Sequence, residues 1–326
     1  MTATGLTMSE RVLVTGASGF VGLPLVASLA ARGMRVEALG YRNVGPELPG
    51  VRWHRVDLHH SGDVRLLLRE LRPSVLVHCA WYVDHGRFWS APDNRVWLEV
   101  SFELAMRFFE TGGRRFVGIG TCAEYACQDL NDNMPWPESR KIDPATLYGQ
   151  SKAELWRRLL ALAERRPGTQ AAWARLFHLF GAGEHPERLV PSIIRSVLAG
   201  REACCGSGRL VRDFSSVRFA GGALAALACS GVTGPVNIGS GQPRSIASLS
   251  RLVARLAGRP DLLRLGALPD RPDDVPVMVA DTKRLRLEVG HSHRPVIEDD
   301  LRRVISLYLQ QKGMEITSGL VPTSMS

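Results

Sequence analysis

Between residues 11 and 119, short apolar runs rich in valine and leucine alternate with stretches whose apolar residues recur at helical spacing. Arg11–Thr15, Arg35–Leu39, Val51–Val56, Ser74–His78 and Arg115–Ile119 read as buried strands. Leu23–Arg32, Val64–Leu71 and Val96–Thr111 read as the helices between them, and Ala153–Arg165 with Ala171–Phe177 adds one more helix and strand. Strands separated by helices predict βαβ units, hence a parallel sheet covered on both faces. After residue 177 the pattern loosens: Gly181-Ala182-Gly183, Gly206-Ser207-Gly208 and Gly239-Ser240-Gly241, with prolines from Pro186 to Pro276, mark a smaller, loop-rich lobe. The expected division is residues 10–176, with part of 209–240 returning to that unit, and a lobe of 177–208 and 241–312, between flexible tails 1–9 and 313–326.

Directly after the first strand stands Thr15-Gly16-Ala17-Ser18-Gly19-Phe20-Val21-Gly22, opening a helix. Gly16 permits the tight turn, Gly19 lets backbone approach a pyrophosphate, and Gly22 lets helix and strand pack closely. The helix N-terminus then turns unpaired N–H groups toward phosphates, so Gly16, Ser18, Gly19, Phe20, Val21 and Gly22 are expected to hold a dinucleotide.

The end of the second strand selects between dinucleotides. An acidic residue there would hold the ribose 2′-OH of NAD, but the place is filled by Gly40-Tyr41-Arg42. With no carboxylate to repel a 2′-phosphate, NADP(H) is favoured over NAD(H); Arg42 either pairs with that phosphate or is a solvated loop charge. Asp57 and Leu58 follow the third strand, where a carboxylate can accept from the adenine amino group. Cys79, Ala80 and Trp81 end the fourth, where backbone lines the cofactor and Trp81 reaches toward substrate; the preceding His78 is either part of that lining or an ordinary core histidine.

Tyr148-Gly149-Gln150-Ser151-Lys152 puts a phenol and an ammonium at i and i+4, on one face of a helix. An ammonium beside a phenol stabilises phenolate and brings a pKa near 10 toward working pH. Thr121, just past the fifth strand, is positioned to hold a substrate oxygen.

Taken together, these segments resemble the extended short-chain dehydrogenase/reductases, the NAD-dependent epimerase/dehydratase group. The likeness continues through Arg212-Asp213-Phe214, Val236-Asn237-Ile238-Gly239-Ser240-Gly241 and Arg271-Pro272-Asp273-Asp274, in order over about residues 10–310. It implies a Rossmann-type doubly wound parallel sheet with a smaller C-terminal substrate-binding lobe, and a nucleotide diphosphate-sugar as substrate. It also implies that Thr121, Tyr148 and Lys152 are the catalytic set, that Arg212 and Arg271 clamp the substrate diphosphate, and that the chain forms a homodimer through the helices at 96–111 and 153–165.

Departures narrow the reaction. The 4,6-dehydratases of this group carry an Asp-Glu pair after the catalytic Thr; here those positions are Cys122 and Ala123, which disfavours dehydration by that route. The cysteine used for epimerisation in the enzyme that makes GDP-fucose falls on Ala123, with Cys122 one position early. His178 replaces a common Asn and either bonds a phosphate or fills the site; Glu124 either contacts substrate or makes a structural hydrogen bond. Two outcomes of Tyr/Lys/NAD(P) chemistry remain foremost: a 4-ketoreductase of deoxysugar biosynthesis, with hydride from NADPH to the C4 ketone and a proton from Tyr148, ahead of a 4-epimerase with tightly bound NAD. A non-catalytic NADPH-binding regulator is a third reading, against which the intact phenol–ammonium pair argues.

Composition changes this picture little. The formal charge is +9, from 41 basic and 32 acidic residues, and only four of the basic ones are lysines. The arginines are scattered through helices without an aromatic-interleaved stretch, so an anionic small molecule is expected and nucleic acid is not; a GC-rich genome is the plainer source of the same bias. None of the six cysteines has metal or redox spacing, so no metal is expected and the thiols are expected to be reduced. No apolar run reaches about 18 residues and no export signal is visible. A cytoplasmic enzyme without membrane contact is the expectation.

Overall fold

A computed structural model of the chain describes residues 10–41, 43–127, 134–270, 275–293, 295–311 and 313. Its strands and helices, in chain order, begin with β1 (Arg11–Thr15), α1 (Gly22–Ala31), β2 (Arg35–Gly40), β3 (Val51–Arg55), α2 (Ser61–Leu71), β4 (Val75–His78), α3 (Asp93–Glu110), β5 (Arg115–Thr121), α4 (Leu147–Glu164) and β6 (Gln170–Leu176). They continue with β7 (His178–Phe180), α5 (Leu189–Leu198), β8 (Ala203–Cys204), β9 (Val211–Ser216), α6 (Val217–Cys229), β10 (Gly234–Ile238), β11 (Pro243–Ser245), α7 (Ile246–Leu256), β12 (Leu263–Arg264), β13 (Val277–Met278), α8 (Lys283–Leu287) and α9 (Ile297–Gln311).

Seven strands form one sheet in the order β10-β6-β5-β4-β1-β2-β3, and each pairing in it is parallel. The period-2 alternation of a strand explains why the runs look apolar throughout: Val12 and Val14 pack under α1 and α6, while Leu13 between them faces α2, α3 and α4. On the first face Leu25, Val26 and Leu29 of α1 meet Ala220, Ala223 and Leu224 of α6; on the second, Leu104 and Phe108 of α3 meet Leu155 and Leu159 of α4. The chain winds outward from β1 in both directions, so the order reverses between β1 and β4, where doubly wound sheets open a ligand crevice at their carboxyl ends.

Beyond β6 a second sheet forms around β9, which pairs with β11 (antiparallel), β13 and β7, and a separate apolar cluster gathers Phe180, Val190, Ile193, Ile194, Leu249, Val253 and Leu301. The chain crosses back for α6 and β10, the edge of the large sheet. No helix among the described residues is long and apolar enough to cross a membrane.

His78 is an ordinary core histidine. It is fully buried at the end of β4, with Nδ1 2.7 Å from the Thr15 hydroxyl and Nε2 2.7 Å from that of Ser101. Burial, aided by the charge on Lys152, lowers its pKa to about 3. A group neutral in the fold that ionises near 6.5 when unfolded contributes stability in full above pH 6.5 and loses it as pH falls toward 3. Each pH unit in that window is worth about 1.4 kcal/mol per such group. Denaturant midpoints measured between pH 7.5 and 5 should fall steeply for the wild type, and less steeply for His78→Asn at unchanged slope m.

Candidate active site

The glycine turn lies between β1 and α1. Gly16 adopts φ +61°, and a Cβ there would stand 2.7 Å from the Ala80 backbone nitrogen, so the ends of β1 and β4 touch main chain to main chain. A Cβ on Gly22 would collide with the Gly16 carbonyl oxygen, whereas on Gly19 it would meet only that oxygen, at 3.1 Å. The space above Gly19 is the cradle a side chain would fill, and it fits a pyrophosphate at the start of α1. Ala17 N–H donates to Leu39 O and Ser18 lies beside Gly40, which brings the turn to the end of β2. Tyr41 is exposed there; Arg42 lies outside the described residues. Asp57, after β3, accepts from the His59 N–H (3.0 Å), with Leu58 packed beneath.

Thr121 is the last residue of β5 and Tyr148 the second of α4. α4 begins six residues before the apolar pattern announces it, because the Thr146 side chain caps it by accepting from Gly149 N–H (3.2 Å). A Cβ on Gly149 would stand 2.5 Å from the Ala123 carbonyl oxygen, so this helix turn rests on the backbone after Thr121. The Thr121 side chain lies close enough to the Tyr148 phenol to favour its ionised form. Phe88 and Trp89 meet the Tyr148 ring edge to face at 5.0 and 5.9 Å, and Trp89 O accepts Tyr148 N–H (3.1 Å).

Lys152 is buried, donates to Ile119 O (2.8 Å) and holds its ammonium 3.7 Å above the centre of the Trp81 ring. Burial pulls its pKa to about 7, opposed by Glu124 and Cys79. The phenol departs from the sequence expectation: burial first, and the Glu124 charge next, push its pKa up, against the Thr121 side chain. Lys152 lies 5.9 Å from the ring centre of Tyr148, too remote to reverse this. At neutral pH Tyr148 therefore holds its proton, the state a proton donor needs.

Two residues expected at the substrate are held by the protein itself. Glu124 is fully buried: its carboxylate accepts from Thr121 N–H (2.8 Å), Trp173 Nε1 (2.9 Å) and Arg175 Nε (2.8 Å). It positions Thr121 from beneath. Trp81 is also buried, with its indole N–H on Asn94 Oδ1 (2.9 Å) and one face taken by Lys152, so it seats the lysine. Cys122 is buried beside the pair with its thiol pushed up to about 12 by burial, and Ala123 carries the carbonyl under Gly149. Cys79 is likewise held near 12 by burial and is a thiol, not a thiolate.

From the lobe, Arg212 on β9 is buried, with Nη1 donating to Val211 O (2.9 Å) and Val275 O (2.8 Å). Its charge acts on both Cys122 and His178, which places it at the crevice. His178 has a buried Nδ1 with no hydrogen-bond partner, and its pKa is lowered to about 3 by burial, then by Arg212 and Arg188. Arg271 lies outside the described residues. Arg188, which the sequence reading passed over, acts on both Tyr148 and His178 and pairs with Glu184 (3.2 Å). Its signal was a cation immediately before an apolar helix. The arrangement offers one protonated phenol with a hydroxyl beside it, a buried ammonium, a phosphate-sized cradle, and two guanidinium groups on the facing side.

Residues 12–239 match the model of the NAD dependent epimerase/dehydratase family. The chain is 29% identical over 313 residues to a dTDP-4-dehydro-6-deoxy-D-allose reductase of Streptomyces sp, covering 88% of this chain and 93% of that one. Among solved structures it is similar to MoeE5 in complex with UDP-glucuronic acid and NAD (26% identical, TM-score 0.78, 93% of this chain and 100% of that one). It is similar too to the UDP-glucose 4-epimerase of Thermus thermophilus in complex with NAD (26% identical, TM-score 0.78, 91% and 98%).

Proposed function

The chain belongs to the NAD dependent epimerase/dehydratase family, and from that premise we propose that it is an NADPH-dependent nucleotide-sugar 4-ketoreductase of deoxysugar biosynthesis. The observation that carries this reading is a protonated Tyr148 beside Thr121, with a thiol and a methyl group at 122 and 123 where dehydration needs carboxyl groups. The residues expected to hold the dinucleotide are the 16–22 turn, Tyr41 and Arg42, Asp57 and Leu58, the backbone of Cys79 and Ala80, and Lys152 with Tyr148. When bound, the nicotinamide supplies the hydride that reaches C4. Thr121 holds the ketone oxygen, Tyr148 gives it a proton and becomes phenolate, and the Lys152 ammonium beneath steadies that charge until solvent restores the proton. Arg212, Arg188 and Arg271 are assigned to the substrate diphosphate, where forked cations suit paired oxygens. The name of the Streptomyces relative supports the reaction. The test is turnover: dTDP-linked 4-keto-6-deoxysugars should consume one NADPH for each 4-hydroxyl product. A sugar nucleotide inverted at C4 without net cofactor consumption would replace this reading by the epimerase one, which the NAD-bound epimerase neighbour favours.

Cofactor choice has its own test. Arg42→Ala should weaken NADPH by about 1–3 kcal/mol, the range for a hydrogen bond to a charged group, and leave NADH nearly unchanged. Equal losses in a fluorescence titration, or NADH preferred by the wild type, count for NAD. Dimerisation through α3 and α4 belongs to the same proposal; Val96 and Leu160 are exposed on those helices, and light scattering at micromolar concentration reads the state.

A further inference from the structure

Two segments meet at the mouth of the crevice from opposite sides. One is the 84–90 turn after β4, which supplies Phe88, Trp89 and the carbonyl that accepts Tyr148 N–H. The other is 181–188, which runs from β7 to α5, lays Gly183 against Phe20 of the glycine turn (4.0 Å from a Cβ built there) and carries Arg188. His85 and His185 face one another where the segments meet, rings stacked at 4.3 Å between centroids and 13° between planes. Glu187 stands beside them: one ligand-capable atom from each of the three lies within 4.8 Å of the others. Gly86 and Gly183, at φ +76° and +81°, bend the backbone next to both histidines. Nothing in the reaction above uses this cluster.

We propose that His85, His185 and Glu187 bind one divalent transition-metal ion of the zinc–nickel–copper class, clasping the two segments together across the mouth of the crevice. Two imidazoles and one carboxylate are a known donor set for such ions, with water completing the shell. Bonds of about 2.0–2.2 Å to a tetrahedral ion ask for donors roughly 3.3 Å apart, so the trio must close by an ångström or so. His185 and Glu187 are exposed, with His185 Nδ1 accepting from Glu187 N–H (3.3 Å) and thus leaving Nε2 for a metal, and the half-buried His85 supplies the fixed point. The clasp joins the sheet side to the lobe side above Phe20 and Tyr148, so a bound ion slows passage of the dinucleotide. Metal binding itself does not depend on the proposed reductase activity.

The test titrates Ni²⁺ onto the full chain by calorimetry; nickel suits imidazole and disfavours confusion with the thiols. One equivalent should bind at micromolar concentration, and His85→Ala and His185→Ala should each weaken it at least tenfold while dinucleotide affinity without metal is unchanged. In stopped flow, Ni²⁺ should slow release of whichever nicotinamide dinucleotide the chain binds several-fold, in the wild type alone. No binding below millimolar, or wild-type binding by both histidine variants, overturns the site; unchanged release with the site filled overturns the clasp. A chain that binds nickel in this way yet reduces no 4-keto sugar leaves the site standing and removes only the reductase.

Discussion

Tyr148→Phe is expected to lower turnover by roughly 10²–10⁴, the usual worth of a positioned proton donor, while dinucleotide affinity stays within a factor of two. The ring packs edge to face on Phe88 and Trp89, and Phe keeps those contacts. What goes is one oxygen, which lies beside Thr121 and carries the transferable proton. Single-turnover kinetics at saturating substrate separate this loss from binding. A variant that retains more than a tenth of wild-type turnover removes Tyr148 as donor and leaves Thr121 or a water to be tested next.

Arg175→Met is expected to cost about 3–5 kcal/mol of stability, because breaking a buried ion pair leaves its other charge uncompensated. The pair with Glu124 sits at 3% and 0% side-chain exposure, where no water can replace the guanidinium. Because the same carboxylate accepts Thr121 N–H, the damage should reach the site: turnover falls along with the urea midpoint. Glu124→Gln added to Arg175→Met removes the stranded charge and should recover most of the stability. A single variant within about 1 kcal/mol of wild type would mean that the carboxyl group is neutral in the fold and the pair is not ionic.

Legibility from sequence follows burial. Strands such as Arg11–Thr15 and Val75–His78 are covered on both faces, so their runs are apolar at every inner position and their limits are readable to within a residue or two. The apolar pattern placed the start of α4 six residues late, and only the Tyr148–Lys152 spacing pointed to helix there, because its first turn is held by the Thr146 cap and by contact with Ala123 and has no apolar stripe. The chemistry of Tyr148 and Lys152 was visible in their spacing, but the direction of the phenol's pKa was not, since it depends first on burial and next on Glu124, 24 positions earlier in the chain. Glu124 and Arg175 are 51 residues apart, and His85 and His185 meet only through the fold. Such pairs leave no periodic trace, which is why sequence left Glu124 open between a substrate contact and a structural hydrogen bond, and did not show the internal partners of Glu124 and Trp81.

Because Gly149 brings the first turn of α4 against the Ala123 carbonyl, with Pro144 packed beside it, the spacing between the hydroxyl of Thr121 and the phenol of Tyr148 is written largely in backbone. The reaction geometry proposed above is thereby insulated from many side-chain substitutions, while the arginines assigned to the substrate diphosphate belong to the other lobe. A lineage built this way can exchange substrates without recalibrating its proton transfer, and a designer who wants a new specificity should leave residues 121–124 and 146–152 untouched and diversify the opposite wall.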